Sequence, residues 1–294
     1  ARLEAELKRL HADITVSVWR QEASFLPDLK DGSRKILELH TSKFAPVRMY
    51  PVRSKLKRQF GHLRVAIQER VAARYDRFVI LTHEEKPFWK GFSNLSVIPN
   101  PLSFKSQKRA DASAHRVMIA GRMEYVKNFP ELLQIWARVA PGFSDWQLHI
   151  YGDGWMLDAL RDKADMLGIA SQVIFEGAVS DMETAYASSS IYVMTSHFEG
   201  LPMVLIEAQS VGLPAVSYMC SSGPRDIITD GKDGFLVELY DQETFAERLR
   251  TLMQDEELRR SMGQAAEVAS HRYDLDVIMP QWLSLFNELS ASSL

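Results

Sequence analysis

Short apolar runs rich in branched residues punctuate the chain from end to end: Ile14–Val18, Lys35–Leu39, Arg77–Leu81, Leu95–Ile98, Arg116–Ala120, Leu148–Tyr151, Val173–Phe175, Ile191–Met194, Ala215–Tyr218 and Gly234–Val237. Each is apolar nearly throughout rather than alternating with polar positions, which marks strands covered on both faces. Helix-length segments with apolar residues every three or four positions lie between most of them, among them Asn128–Val139, Trp155–Leu167 and Pro202–Val211. Strand–helix alternation of this kind predicts an α/β fold built on parallel sheets. The rhythm breaks at Pro99–His115, where two prolines and a Lys/Arg/Ser/Ala stretch carry no period. The pattern therefore predicts two α/β domains, 1–100 and 116–274, with 101–115 as the linker. A last amphipathic helix, Leu275–Leu289, sets Trp282 and Phe286 four positions apart, and a helical Leu3–Leu10 precedes the first strand.

Length agrees with two domains, since 294 residues exceed what a single core comfortably holds. Composition narrows the class: 46% hydrophobic and 25% charged residues exclude disordered, collagen-like and coiled-coil chains. A single cysteine, Cys220, excludes a disulfide framework and a Cys-rich zinc module, and the eight histidines show no metal-ligand spacing. No run approaches the roughly 18 apolar residues of a membrane span, and no basic-then-apolar signal opens the sequence. A net charge of −3 gives no reason to expect a nucleic acid partner. These features predict a reduced, cytoplasmic protein. The sequence opens at Ala1 and its first methionine is Met49, so the expectation is that a natural start is missing. The first domain is accordingly expected to be incomplete, with a strand edge unpaired.

Four strand-to-helix turns carry candidate chemistry. Gly121-Arg-Met-Glu-Tyr-Val-Lys-Asn128 follows the first strand of the second domain. Glycine permits close backbone approach, and Arg122 and Lys127 could both address an anion at a helix start, although a solvated turn with surface cations explains them as well. Gly152-Asp-Gly154 ends the next strand and reads equally as a tight turn. Densest is Ser196-His-Phe-Glu-Gly-Leu-Pro-Met-Val-Leu-Ile-Glu207. Pro202 suits a first helical turn, which leaves Glu199 in the loop and Glu207 inside the helix, about 80° apart in helical phase. A loop carboxylate beside Gly200 suits hydroxyl recognition next to an anion site better than it suits an N-cap. Ser221-Ser-Gly-Pro-Arg-Asp226 opens a further helix. Several such openings on one sheet edge would ring a crevice at the strand carboxyl ends, where open α/β sheets bind ligands.

These residues carry a resemblance. Gly-Arg-x4-Lys at 121–127, Gly-Asp-Gly at 152–154, Glu-Gly-Leu-Pro-x4-Glu at 199–207 and Asp230-Gly-Lys-Asp-Gly-Phe-Leu-Val237 resemble the donor domain of retaining GT-B glycosyltransferases of family 4. Upstream, Val79–Thr82 and Val97–Pro101 resemble the end of that family's acceptor domain. The resemblance implies two Rossmann-like domains facing across a cleft. The acceptor-side one (1–100) would be partial, 116–274 would bind the nucleotide sugar, and 275–294 would return to the first domain. It implies transfer of a hexosyl or N-acetylhexosaminyl unit from a nucleoside diphosphate sugar, a UDP-sugar by preference, to a glycan or lipid-linked acceptor with retention and without a metal or other cofactor. Carried over, Arg122 and Lys127 grip the diphosphate, Glu199 meets the sugar hydroxyls, and Glu207 meets the ribose. Gly121, Gly152, Gly200, Leu201, Pro202, Met203, Val204 and Gly223 border the donor, and His40, after the strand Lys35–Leu39, faces its sugar. An isolated histidine after a strand is also commonly structural, and His197 reads as a supporting or exposed residue. A nucleotide-sugar epimerase or hydrolase, or a non-catalytic binding subunit, would share the donor motifs.

One segment stands apart. From Arg48 to Arg77 there are nine Lys and Arg against Glu69 and Asp76, a local charge of +7 that leaves −10 elsewhere. Leu56, Phe60, Leu63, Ile67 and Val71 form a helical apolar stripe, with Arg53, Lys57 and Arg64 on another face. The stripe fits an ordinary helix packed on its own domain. The charge fits a patch docked on anionic lipid, peripheral on the inner face of the cytoplasmic membrane.

Overall fold

The computed structural model describes residues 2–49, 54–104 and 106–291. Arg53 of the basic segment, Lys105 of the expected linker and 292–294 of the last segment lie outside the described residues. The chain divides into two compact units, 1–101 with 275–294, and 102–274.

In the first unit four parallel strands, β1 (Ile14–Val18), β2 (Arg34–Leu39), β3 (Arg77–Ile80) and β4 (Leu95–Val97), lie in the order 1-2-3-4. The apolar runs bury both faces of the central strands. Leu37, Leu39, Phe78 and Ile80 pack with Trp89 on one side. Ile36 and Val79 pack on the other with Ile98 and with Ile278, Leu285 and Leu289 of the helix Leu275–Ala291. Phe78, Trp89 and Phe92 add edge-on ring contacts, 4.6 Å between the Phe78 and Trp89 centroids. β1 is an edge strand that buries only Ser17.

The helix Lys55–Ala72 departs from the sequence reading. Of the expected stripe it buries only Val71; its packed face is Gly61, Val65, Gln68, Val71 and Ala72. The reason is close approach. A Cβ at Gly61 would stand 2.6 Å from the Pro46 carbonyl oxygen and 2.8 Å from the Val47 Cα, so the helix lies backbone-to-backbone on the turn Ala45–Arg48. Small residues set this contact, and the larger apolar ones are left outside.

In the second unit β5 (Arg116–Ala120), β6 (Gln147–Tyr151), β7 (Val173–Gly177), β8 (Ile191–Met194), β9 (Ala215–Tyr218) and β10 (Gly234–Val237) form a parallel sheet of order 10-9-8-5-6-7. The chain enters at β5, builds outward through β6 and β7, then returns to lay β8 on the free side of β5. That reversal is a topological switch point, where the loops leaving neighbouring strands diverge and open a crevice. Helices cover both faces; Phe129–Val139 alone buries Phe129, Leu132, Leu133, Ile135, Trp136 and Val139. The stretch expected as a linker has no regular element among its described residues but is fastened down. Leu102 N–H donates to the Tyr273 carbonyl, Ala110 N–H to Val211 and Asp111 N–H to Ala187, so its backbone polar groups find partners on the second unit.

Candidate active site

The loops leaving β5 and β8 meet at the switch point. Gly121 ends β5 with φ +155, and Gly152 and Gly154 leave β6 with φ +119 and +151. A Cβ on Gly152 would fall 2.1 Å from the Gly121 carbonyl oxygen, and one on Gly154 2.6 Å from that of Met123. Gly121 N–H donates to Tyr151 and Met123 N–H to Asp153, 3.0 and 2.6 Å. The glycines therefore interlock two loops, and Gly152 acts by letting the second lie against the first.

The stem of Lys127 runs across Gly121, where a Cβ would touch its Cε at 3.0 Å. Its Nζ then donates to Glu199 Oε1 at 2.8 Å, with the two side chains only 21% and 13% exposed. Two groups that the sequence reading gives separate tasks, one toward phosphate and one toward sugar, thus form one ion pair. The Thr195 hydroxyl donates to the Lys127 carbonyl at 3.2 Å, and His197 N–H donates to that of Val126 at 2.8 Å, so both termini of the pair rest on the same pair of loops. The His197 ring lies against Tyr125, tilted by 34° with centroids 4.4 Å apart, and meets the Tyr240 hydroxyl through Nδ1 at 3.1 Å. Burial holds its pKa below the usual histidine value, which keeps a second cation away from the pair.

Behind Glu199 the chain turns through Gly200, Leu201 and Pro202 into the helix Met203–Ser210. Gly223, φ +100, closes the turn from the far side: a Cβ there would meet Pro202 Cδ at 2.4 Å and the Gly200 carbonyl oxygen at 2.8 Å. Leu201 is buried, while Met203 and Val204 are half-buried at the helix start. The first N–H groups of a helix favour an anion. Ser196 Oγ and Ser221 Oγ, in the flanking loops, are buried without a hydrogen-bond partner among the described residues, so two hydroxyls are left to spare near the carboxylate.

Glu207 has a partner of its own. Its Oε2 accepts from the Tyr186 hydroxyl at 2.8 Å, and burial, with the Glu207 charge beside it, pushes that phenol well above its ordinary pKa. Tyr186 then stays a donor and fixes the carboxylate. Arg122 is not brought in: its side chain is 78% exposed and its guanidinium meets Glu124 at 3.1 Å. His40 belongs to the first unit, just past β2, where its Nε2 meets Glu38 Oε2 at 2.6 Å. Sequence reasoning misses Tyr186 and also the buried trio under the 121–128 loop. There Asn128, left-handed at φ 54, donates to Glu131 Oε2 at 2.5 Å, and the Tyr218 hydroxyl donates to Oε1 at 2.8 Å. An asparagine before Phe-Pro at a helix start is the one signal for it. Among the described residues no group of three or more His, Cys, Asp or Glu is placed to hold a metal ion.

Comparison with known proteins gives the setting. Residues 103–268 match the family model described as glycosyl transferases group 1. Similar to this chain are the amylovoran biosynthesis glycosyltransferase AmsD of Erwinia amylovora, 35% identical over 72% of this chain and 62% of that one, and an exopolysaccharide phosphotransferase of Streptomyces coelicolor, 34% identical over 73% and 23%. This chain thus spans less than two thirds of either relative's length. Among solved structures, a TarM mutant of Staphylococcus aureus in complex with fondaparinux, α-GlcNAc-glycerol and UDP superposes with a TM-score of 0.81 at 20% identity, covering 97% of this chain and 58% of that one.

Proposed function

Because the chain belongs to the glycosyl transferases of group 1 and has the two parallel sheets of the GT-B fold, we propose that it moves a hexosyl or N-acetylhexosaminyl unit from a nucleoside diphosphate sugar, by preference a UDP-sugar, to a glycan or lipid-linked acceptor with retention of configuration. The observation that carries this reading is the Lys127–Glu199 pair at the switch point, ahead of the helix Met203–Ser210. A sugar diphosphate needs both halves: a cation for the phosphate and a carboxylate for the hydroxyls next to it.

The chemical task is stabilising a leaving group. As the bond from the anomeric carbon to the diphosphate oxygen breaks, that oxygen keeps the electron pair and negative charge grows on the diphosphate. Lys127 Nζ and the N–H groups at Met203 and Val204 are preorganised for that charge, and Arg122 joins them by turning away from Glu124. In this reading the chain's own donors do the work without a metal. The acceptor hydroxyl forms the new bond on the face the diphosphate leaves, and its proton passes to the departing phosphate oxygen. Glu199 orients the sugar, and Glu207, braced by Tyr186, binds the ribose. A cytoplasmic location belongs to the same reading; among the described residues no helix is long and apolar enough to cross a membrane.

Calorimetric titration of UDP against site variants tests it, with product analysis alongside. Glu207→Ala should weaken UDP about tenfold or more, since a hydrogen bond to a charged group contributes about 1.5–3 kcal/mol. Tyr186→Phe should weaken it less. Glu199→Ala should not weaken UDP, and should tighten it as far as Lys127 no longer has a carboxylate to leave, yet it should cut sugar transfer. Equal loss of UDP affinity in Glu199→Ala and Glu207→Ala would refute the division of roles.

A further inference from the structure

A pocket of about 290 Å³ lies in the second unit at the amino ends of its strands, on the edge of the sheet opposite the switch-point loops. Its walls are the segment 109–112 leading into β5, Val211 and Gly212 leading into β9, and the helix Glu256–Ser270. A Cβ at Gly263 would stand 2.2 Å from the Gly212 carbonyl oxygen, so the helix seats backbone to backbone there and the hollow opens beside that contact. Arg259 lines the pocket and is only 2% exposed. Its Nε donates to the Ala112 carbonyl at 2.8 Å. Its Nη1 donates to those of Leu252 and Met253 at 2.5 and 3.1 Å, in the last turn of the helix Gln242–Gln254. Nη2 makes no hydrogen bond among the described residues, and no carboxylate among them lies within ion-pair distance of this guanidinium. Two of its five N–H groups are therefore left for the pocket. Burial holds its pKa below the usual arginine value, the mark of a charge deprived of water. At the mouth Arg109 and Arg260 are half-exposed and pair with Glu267 and Glu256, so the charge without a counter-ion is the buried one.

We propose that this pocket binds a dianionic phosphate, free or as the monoester of a small molecule, on Arg259 Nη2, with Arg109 and Arg260 closing on it from the mouth. A buried cation without a counter-ion is costly, and an anion seated against it offsets that cost. Nε and Nη1 serve the fold by closing the end of a helix; Nη2 has no such task. A guanidinium fork meets two phosphate oxygens at once. The two charges of the ligand answer Arg259 and also draw the mouth arginines from their carboxylates, which the single charge of a carboxylate ligand does less well. The volume is at the small end of ligand pockets and suits a phosphate with a short organic group. Because the pocket lies across the sheet from Lys127 and Glu199, the proposal goes beyond the transferase reading and does not rest on it.

Calorimetric titration of inorganic phosphate and of a hexose 6-phosphate into the whole chain, with acetate at equal ionic strength as control, tests it. Both phosphates should bind and acetate should not; the tighter of the two names the source of the ligand. UDP in excess should leave the phosphate affinity unchanged. Arg109→Gln and Arg260→Gln should each weaken phosphate about threefold. Gln264→Glu, which sets a carboxylate in the wall, should weaken it at least about tenfold. These three side chains are exposed, so thermal unfolding and UDP affinity should match the parent in each variant. Arg259→Lys keeps the charge but loses the fork, and should weaken phosphate about tenfold while also lowering Tm. No binding of either phosphate, displacement of phosphate by UDP, or parent-like affinity in both Arg260→Gln and Gln264→Glu would overturn the proposal. Arg259 would then serve only to close the helix end. Failure to bind UDP would bear on the transferase reading alone.

Discussion

Replacing Lys127 by methionine keeps the stem that crosses Gly121 and removes only the charge. At 2.8 Å the pair has a gross Coulomb term of about 6 kcal/mol for an effective dielectric near 20. Desolvation of both ions cancels most of it. Exposed pairs net about 0.2–1 kcal/mol, whereas stripping one partner from a buried pair costs about 3–5. With 21% and 13% of the side chains exposed, Lys127→Met should fall between, at about 2 kcal/mol. For a unit of this size that lowers Tm by about 4–8 °C. Adding Glu199→Gln should restore part of the loss, because the stranded carboxylate is gone. Function should suffer more than stability. One charge-assisted phosphate contact contributes about 1.5–3 kcal/mol to UDP binding, and one preorganised donor contributes about 10²–10³-fold to the rate. Circular dichroism melts and UDP titrations on the parent, both single variants and the double variant measure all of this. A Lys127→Met protein with the lowered Tm but the parent's UDP affinity would refute the assignment: the pair would be structural and the diphosphate would sit elsewhere.

Gly152→Ala puts a Cβ 2.1 Å from the Gly121 carbonyl oxygen at φ +119 and should cost more than about 2 kcal/mol in urea unfolding, with UDP binding lost. Gly168→Ala, at φ +70 with nothing within 4 Å, should cost only about 1 kcal/mol; equal costs would sink the interlock argument. Glu85 is buried, which raises its pKa to about 7, while its Oε1 accepts from Lys43 N–H at 2.5 Å. A carboxyl raised above its unfolded value near 4.5 holds a proton that the unfolded chain has released. Its contribution, about 3 kcal/mol, is therefore present below pH 4.5 and lost as pH rises to about 7. Urea midpoints measured across that window should fall with pH in the parent and change less in Glu85→Gln; parallel profiles would refute the assignment.

The ten strands among the described residues are legible in the sequence: the central ones because a strand covered on both faces leaves an apolar run, and the edge strand β1 and the half-buried β4 because they are rich in branched residues. The fold class follows from their alternation with helices. The packed face of Lys55–Ala72 is not legible. Hydrophobicity points to Leu56 and Phe60, but the contact is decided by how closely the backbone at Gly61 can approach the turn Ala45–Arg48, a matter of volume rather than polarity. In the candidate site the motifs at 121–127 and 199–207 are visible as motifs, while their meeting is not: Lys127 and Glu199 lie 72 positions apart and join only through the return of β8 to β5. Tyr186 is hidden for the same reason, being an ordinary apolar-face residue of the short helix Met182–Ala187 until the next helix brings Glu207 to its hydroxyl. Arg122, five positions before Lys127 in one motif, takes a different partner because its side chain leaves the loop on the solvent side.

In the proposed assignment, a site whose phosphate ligand and sugar ligand are paired with each other behaves as a coincidence detector. Lys127 and Glu199 neutralise each other, so a stray anion that captures the lysine strands the carboxylate, and a stray sugar that captures the carboxylate strands the lysine. Either intruder must meet the full cost of parting the pair and recovers only half of what it breaks. A molecule that presents phosphate and hydroxyl together replaces both halves at once. Inorganic phosphate and free sugars would thus be disfavoured by the pair itself, because discrimination is built from what the wrong ligand leaves unpaired.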